Sequence, residues 1–474
     1  MRLRARSFLV LVAAVGITIT APAAGTAAYA SNSSCGTEAG TWARHCDGGT
    51  TAWLALSDVH FDPFAGLDTA TVDKLATVPP QQWGSILTQG PAQPSAYGKD
   101  TNYALLSSSL ASMGSTVAKP PAVLISGDFL SHAFKDDYHA LATDKSQQGY
   151  EAFADKTIAF LADEFDATFP KSQFIVALGN NDTTCGDYEL TPHSQFLKNF
   201  AEAWEPLVNR GGRAPGFAKD FPQLGSYEAR TPTGGHAVVV NDIYWSPNYR
   251  NSCGVPGEDP AAEELQWLTT TARQLPEDGR SWLVGHIPFG IDVFSTLSGG
   301  SPVGLLDAGN QAQLLSVLRG KAWGLTVFGH LHMSTYRLAI GQRPAPAMVV
   351  PSISPYFSNN PAYYVLRVTP RQTVVDYTAH ALNLHASSPV WSLEYSFDQT
   401  YGLSEFDATS LAQLQIELNQ NTELRNDYIR FYNSGSGIGG ITAATFRAYW
   451  CGAVALTAAE YSDCTRPATA VATP

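Results

Sequence analysis

The sequence predicts an α/β fold of layered sheets and helices, on three observations. Short apolar runs alternate along the chain with segments whose apolar residues recur about every 3.6 positions. Several runs stop abruptly in Asp, Asn or His, as buried strands do where an open sheet carries its chemistry. The 474 residues, 44% hydrophobic and 15% charged, are enough for one large core or two domains and too apolar for disorder.

The chain opens with Arg2, Arg4 and Arg6, runs apolar from Phe8 to Ile19 and reaches Ala28-Tyr29-Ala30. A basic start, a short apolar stretch and a small-residue site predict a secretory signal over residues 1–30 and an exported, extracytoplasmic protein. A membrane anchor would need roughly 20 apolar residues. This stretch is shorter and breaks at Pro22, and nothing later is long enough to be a transmembrane segment. Cleavage would remove three arginines and take the formal charge from −13 to −16. So acidic a chain, with no Lys/Arg cluster, excludes a nucleic-acid-binding surface. The six cysteines include no Cys-x-x-Cys, and in an exported chain they favour disulfides over zinc thiolates. Of the many pairings possible, the preferred one is local: 35–46, 185–253 and 451–464.

After a Ser/Gly/Thr-rich entry (31–50), strand-like runs occur at Trp53–Leu56, Ala122–Ile125, Phe174–Leu178, Ala237–Val240, Trp282–Val284, Leu325–Phe328 and Ala347–Val350. Helical spacing lies between them, in Leu105, Leu106, Leu110 and Met113, in Phe153, Ile158, Leu161 and Phe165, and in Leu265, Leu268 and Leu275. Tyr363 to Tyr377 reads as a hairpin about Pro370 that completes a second sheet. From about Ser404 the composition turns helical, Gly435 to Gly440 is a break, and Thr457-Ala-Ala-Glu460 is a capping box. The predicted boundaries are 51–385 for the catalytic region and 386–474 for a small helical region.

Five runs end in possible ligands: Asp58-Val59-His60, Gly127-Asp128, Gly179-Asn180-Asn181-Asp182, Gly285-His286 and Gly329-His330-Leu331-His332. Each alone has an ordinary reading. A Gly-Asp is a turn, a lone Gly-His is a satisfied histidine, and Gly-Asn-Asn-Asp is loop chemistry. All five in this order, each at a strand end, point to a metal centre.

The set resembles the calcineurin-like metallophosphoesterases, whose pattern is Asp-x-His, Gly-Asp, Gly-Asn-His-Asp/Glu, Gly-His and Gly-His-x-His. The resemblance implies a four-layer αββα sandwich. It also implies two divalent cations, one held by Asp58, His60, His332 and Asp128 and one by the shared Asp128 with Asn180, His286 and His330. Nitrogen and oxygen donors without sulfur suit zinc first, then manganese or ferrous iron. It implies hydrolysis of a phosphodiester or phosphoanhydride by metal-activated hydroxide. Where the family usually has histidine as a proton donor, this chain has Asn181, an amide that can only hydrogen-bond a phosphate oxygen. His132, four residues after Asp128, is the remaining candidate acid.

His132, Pro351-Ser352…Asn360-Pro361-Ala362-Tyr363 and Trp391–Phe397 resemble the acid sphingomyelinase-like phosphodiesterase branch. That branch implies a small-molecule or lipid-headgroup phosphoester as substrate. No saposin-like segment is expected before the first strand. Ser131, where the purple acid phosphatases need a tyrosine, disfavours that group. The Gly-Asn-Asn-Asp variant also resembles endopolyphosphatases, so polyphosphate is an alternative substrate. A phosphomonoesterase and a catalytically silent metal- or phosphate-binding protein complete the alternatives. The sequence says nothing of oligomeric state.

Overall fold

Short, nearly continuous apolar runs set the inner strands, and a computed structural model of the chain describes residues 49–466. These lie within one compact unit. The strands are β1 (Thr51–Leu56), β2 (Ala122–Ser126), β3 (Gln173–Ala177), β4 (Tyr227–Arg230), β5 (His236–Val239), β6 (Ser281–Val284), β7 (Ile291–Asp292), β8 (Val303–Gly304), β9 (Leu325–Phe328), β10 (Thr335–Ala339), β11 (Ala345–Val349), β12 (Ala362–Val368), β13 (Val374–Leu382) and β14 (Trp391–Ser396). Two six-stranded sheets result, in the orders β14-β13-β12-β1-β2-β3 and β10-β11-β9-β6-β5-β4, with β7 and β8 forming a separate two-stranded ribbon.

In the first sheet β1, β2 and β3 run parallel, with Leu54 opposite Val123 and Val123 opposite Phe174. In the second, β5, β6, β9 and β11 are parallel. Apart from the half-buried Thr51 and Ala52 of β1, these strands are buried throughout, which explains their largely apolar character. Trp53 of β1 meets Trp282 of β6 at 5.3 Å between ring centroids, and the Tyr227 hydroxyl donates to the Val176 carbonyl at 3.1 Å. The two sheets therefore share a core.

The expected helices appear at Tyr103–Thr116, Gln147–Thr168 and Pro260–Gln274, each started by a side-chain cap from Asn102, Ser146 or Asp259. Leu275 falls one residue past the third. Downstream are helices Ala408–Gln420, Thr422–Tyr432, Phe446–Gly452 and Ala458–Thr465, the last with the expected capping box.

Two sequence expectations are corrected, and two strands appear that no run in the sequence announced. The hairpin β12–β13 does not complete a second sheet; it adds to the first, with Trp53 opposite Leu366. Strands β4 and β10 sit at the edges of the second sheet and have no long apolar run to announce them. The region from 386 is not wholly helical, because β14 pairs with β13. Its outer residues are exposed, so it lacks the continuous run that marks the inner strands. Cys185–Cys253 and Cys451–Cys464 are disulfides as expected. The 35–46 pairing and the signal segment lie outside the described residues. Among the described residues no helix is long and apolar enough to cross a membrane.

Candidate metal centre

Every sequence-predicted ligand follows a parallel strand: Asp58 and His60 after β1, Asp128 after β2, Asn180 after β3, His286 after β6, His330 and His332 after β9. The strand ends of both sheets meet there, and the side chains converge. His60 Nε2 lies 3.1 Å from His332 Nε2 and 3.3 Å from Asp128 Oδ2, and His332 Nε2 is 3.4 Å from Asp58 Oδ1. On the other side of Asp128, His286 Nε2 is 3.3 Å from Asp128 Oδ2 and 3.1 Å from Asn180 Oδ1; Asn180 Oδ1 is also 3.0 Å from His330 Nδ1. Asp128 thus faces both groups, as a shared ligand must.

Ring orientation follows from what each imidazole meets at its far side. His60 Nδ1 donates to the Leu130 carbonyl at 2.9 Å and His286 Nδ1 to the Ser126 carbonyl at 2.6 Å. A carbonyl only accepts, so when these rings are neutral both Nε2 atoms carry lone pairs aimed inward. Asn180 is oriented likewise: its Nδ2 donates to Asp187 Oδ1 at 2.7 Å, which turns Oδ1 toward the two histidines.

The backbone is strained where it delivers these groups. Asp58, His60, Asp128, His330 and His332 have left-handed φ of 50°, 40°, 58°, 66° and 58°. Each such residue costs on the order of 1 kcal/mol, and strain gathered in this way marks a functional site. Gly127, at φ 88°, permits the close approach of β2 and β3, since a Cβ there would lie 2.6 Å from the Gly179 nitrogen.

Two buried carboxylates outside the ligand set brace the turns. Asp182 accepts from the N–H groups of Asp128 (2.9 Å), Phe129 (2.7 Å), Leu130 (3.1 Å) and Gly179 (2.8 Å). Asp242 accepts from His286 N–H at 2.8 Å and Ile287 N–H at 3.0 Å.

The electrostatics fit a cation. Burial pushes Asp58 up to about 7 and His60 down to about 4, while desolvation and then His286 bring His330 down to about 3. Neutral imidazoles and a carboxylate that burial alone would protonate form a donor set without a positive charge at its centre. His286 goes the other way: burial opposes its charge, but Asp128 outweighs that and raises it to about 10. His332 Nδ1 is buried with no hydrogen-bond partner among the described residues. The donor atoms of Asp58, Asp128 and His286 all lie within 4.8 Å of one another, as do those of His60 and His332. The residues therefore fit two divalent cations.

Asn181 makes two contacts with the shared carboxylate. Its backbone N–H donates to Asp128 Oδ1 at 2.8 Å and its Nδ2 to Asp128 Oδ2 at 3.0 Å, so it steadies the shared carboxylate. One N–H of that amide is left for a substrate oxygen. His132 sits at the rim, its ring stacked on His60 at 3.9 Å. Burial lowers its proton affinity, but hydrogen bonding to Asp100 and the charge of that carboxylate prevail and raise its pKa. Asp100, Asp187, Tyr188, Tyr356 and Phe357 were not among the sequence-predicted residues. Tyr188 reaches His330 Nε2 at 3.4 Å, and Phe357 meets the His332 ring edge-on at 4.7 Å. None stands in a metal-type motif; only the neighbouring Pro351–Tyr363 resemblance hinted at the last two.

No family model matches the chain. Among curated proteins it is similar to sphingomyelinase phosphodiesterase D of Dictyostelium discoideum, 24% identical over 361 residues that cover 72% of this chain and 75% of that protein. It is similar to acid sphingomyelinase-like phosphodiesterase 3b of Mus musculus, 23% identical over 75% of this chain and 77% of that one. A third relative is the human cyclic GMP-AMP phosphodiesterase SMPDL3A, at 22% identity over 56% of this chain and 59% of that protein. Among solved structures a distant likeness is to a dimetal phosphatase of Danio rerio, with TM-score 0.36 and 13% identity, covering 69% of this chain and 95% of that one.

Homology and site chemistry together define a metal-dependent phosphoric ester hydrolase. Its homologues are the acid sphingomyelinase-like phosphodiesterases.

Proposed function

We propose that the chain is an exported two-metal phosphodiesterase that cleaves a diester in a lipid headgroup or a nucleotide. The observation that carries this is the convergence of Asp58, His60, Asp128, Asn180, His286, His330 and His332 on two adjacent points, with His132 beside the first. Asp58, His60, His332 and Asp128 would hold one ion, and Asp128, Asn180, His286 and His330 the other, zinc before manganese or ferrous iron. Bound there, the ions supply Lewis acidity and a hydroxide nucleophile near neutral pH.

The chain's own part is positioning and proton transfer. Asn181 steadies Asp128 and offers its remaining N–H to a phosphoryl oxygen. As the P–O bond breaks, its electron pair stays on the leaving oxygen. His132 Nε2 gives that oxygen a proton. The His132 side chain is 24% exposed, so solvent can return it. Export is supported by the amino-terminal pattern and by two disulfides.

The rim beside His132 is aromatic, with Tyr356, Phe357 and Phe294 38%, 41% and 64% exposed. That supports an organic leaving group over polyphosphate, which would call for cations. The test is hydrolysis of bis-aryl and mono-aryl phosphates by the metal-loaded protein. Cleavage of the diester is the expected result. Turnover of the monoester alone would make it a phosphomonoesterase, and two bound ions without turnover would make it a silent binder.

A further inference from the structure

We propose that Asp100 and Tyr356 are positioning residues that clamp the His132 ring, one by its edge and the other by its face. The inference rests on the reading of His132 as leaving-group acid and adds what aims it. A histidine on a turn, partly open to water, has two soft torsions, and a general acid must hold a donor within hydrogen-bond reach of one oxygen. Something other than the turn has to fix the ring.

Asp100 fixes it in the plane. Its Oδ2 accepts from the His132 backbone N–H at 2.9 Å, while Nδ1 of the ring lies 2.9 Å from Oδ1 and 3.1 Å from Oδ2. One carboxylate therefore grips main chain and side chain of the same residue. Because a carboxylate only accepts, Nδ1 keeps its proton. Nε2, on the opposite side of the ring, is engaged by no hydrogen bond among the described residues and is the atom left to act.

Tyr356 fixes the ring out of the plane. Its ring stacks on His132 at 4.0 Å and 19°, and His60 stacks on the other face at 3.9 Å and 19°. An imidazole between two parallel rings can neither tilt nor turn over without breaking a stack. The two clamps are themselves joined. Ser354 Oγ donates to Asp100 Oδ1 at 3.0 Å and accepts from the Tyr356 N–H at 3.3 Å. The loop that brings Tyr356 over the ring is thereby anchored on the carboxylate that holds its edge. The proton balance is simple. The leaving oxygen takes the Nε2 proton, Nδ1 retains its own against Asp100, and neutral His132 is reprotonated from solvent.

The test uses the full, metal-loaded chain with two diesters, one with a nitrophenol leaving group and one with an alkyl alcohol. The variants are Tyr356→Ala, Tyr356→Phe, Asp100→Asn and His132→Ala, with metal content measured on each. Tyr356→Ala and Asp100→Asn should lower kcat for the alkyl diester at least about tenfold more than for the nitrophenyl diester. Tyr356→Phe should restore the ratio, and every variant should keep two ions. Losses equal for both diesters in Tyr356→Ala and Asp100→Asn, with His132→Ala still selective, would overturn the clamp and leave the acid standing. A rise in KM alone would make Tyr356 a substrate wall instead, and would overturn it too. Equal losses in His132→Ala would remove the acid itself, and the clamp with it.

Discussion

At the centre of the site the donors hang from the ends of parallel strands, held by ladders on both sides of β1, β2, β6 and β9 and on one side of the edge strand β3, and by the buried carboxylates of Asp182 and Asp242. At the rim, His132, Asp100, Tyr356 and Phe357 come from connections and hold one another through rings and one carboxylate. The centre tolerates left-handed backbone at five non-glycine residues because hydrogen bonds from several strands over-determine it. The rim is more open, and its parts are joined pairwise. Under the proposed function, such a division assigns the metal chemistry to the centre and the choice of leaving group to the rim.

The sharpest break of this comparison is at the shared ligand. Asp128→Asn should cut kcat/KM on the order of 10³-fold or more, since several kcal/mol of charge stabilisation is lost. Metal analysis should find fewer than two ions per chain, and finding both retained would refute the bridge. At the rim, His132→Ala should keep both ions yet lose about 10²-fold or more on unactivated diesters. The two variants together separate centre from rim by metal content alone.

A smaller effect should follow at the brace. Asp242→Asn replaces one of the two acceptor oxygens of the His286 turn by an NH2, which cannot accept from a backbone N–H. Affinity for one of the two ions should weaken about tenfold to a hundredfold, as for other groups that orient a metal ligand. Unchanged affinity for both ions in a chelator titration would show that the strand end alone holds His286.

Away from the reaction itself, a pH effect on stability should arise behind the centre. Glu264 accepts from Ser226 Oγ at 2.6 Å and from the Asn241 N–H at 3.1 Å, and burial raises its pKa from 4.5 to about 8. Between these values the unfolded chain has released the proton that the folded chain still holds. Its contribution is therefore full below pH 4.5 and is lost as pH rises to about 8. The thermal midpoint should be higher at pH 5 than at pH 8, and Glu264→Gln should flatten that slope. A slope unchanged in the variant would assign it to other groups.

Much of the centre was legible because each ligand lies within a few residues of an apolar run. Asp58 and His60 follow Leu54–Leu56, and His330 and His332 follow Leu325–Phe328. Asn181 stands out in the sequence as a departure from the family pattern, but only the fold turns its amide toward Asp128. Asp100 carries no signal of its own; it meets His132 across 32 residues of chain. Asp187 orients Asn180 from a loop tied down by Cys185–Cys253. The hairpin β12–β13 was legible as a hairpin, yet its sheet was not, because pairing partners lie far away in sequence.

By itself the sequence determined the α/β class, the five ligand-bearing turns and the chemical type of the centre. These are properties of short stretches, where hydrophobic period and the next few residues carry the information. Only the tertiary structure decided that β1 and β12 share a sheet, which carboxylates brace the turns, and that Asp100 and Tyr356 close on His132. Those contacts join segments remote in the chain, and packing of the two sheets, not local propensity, brings them together.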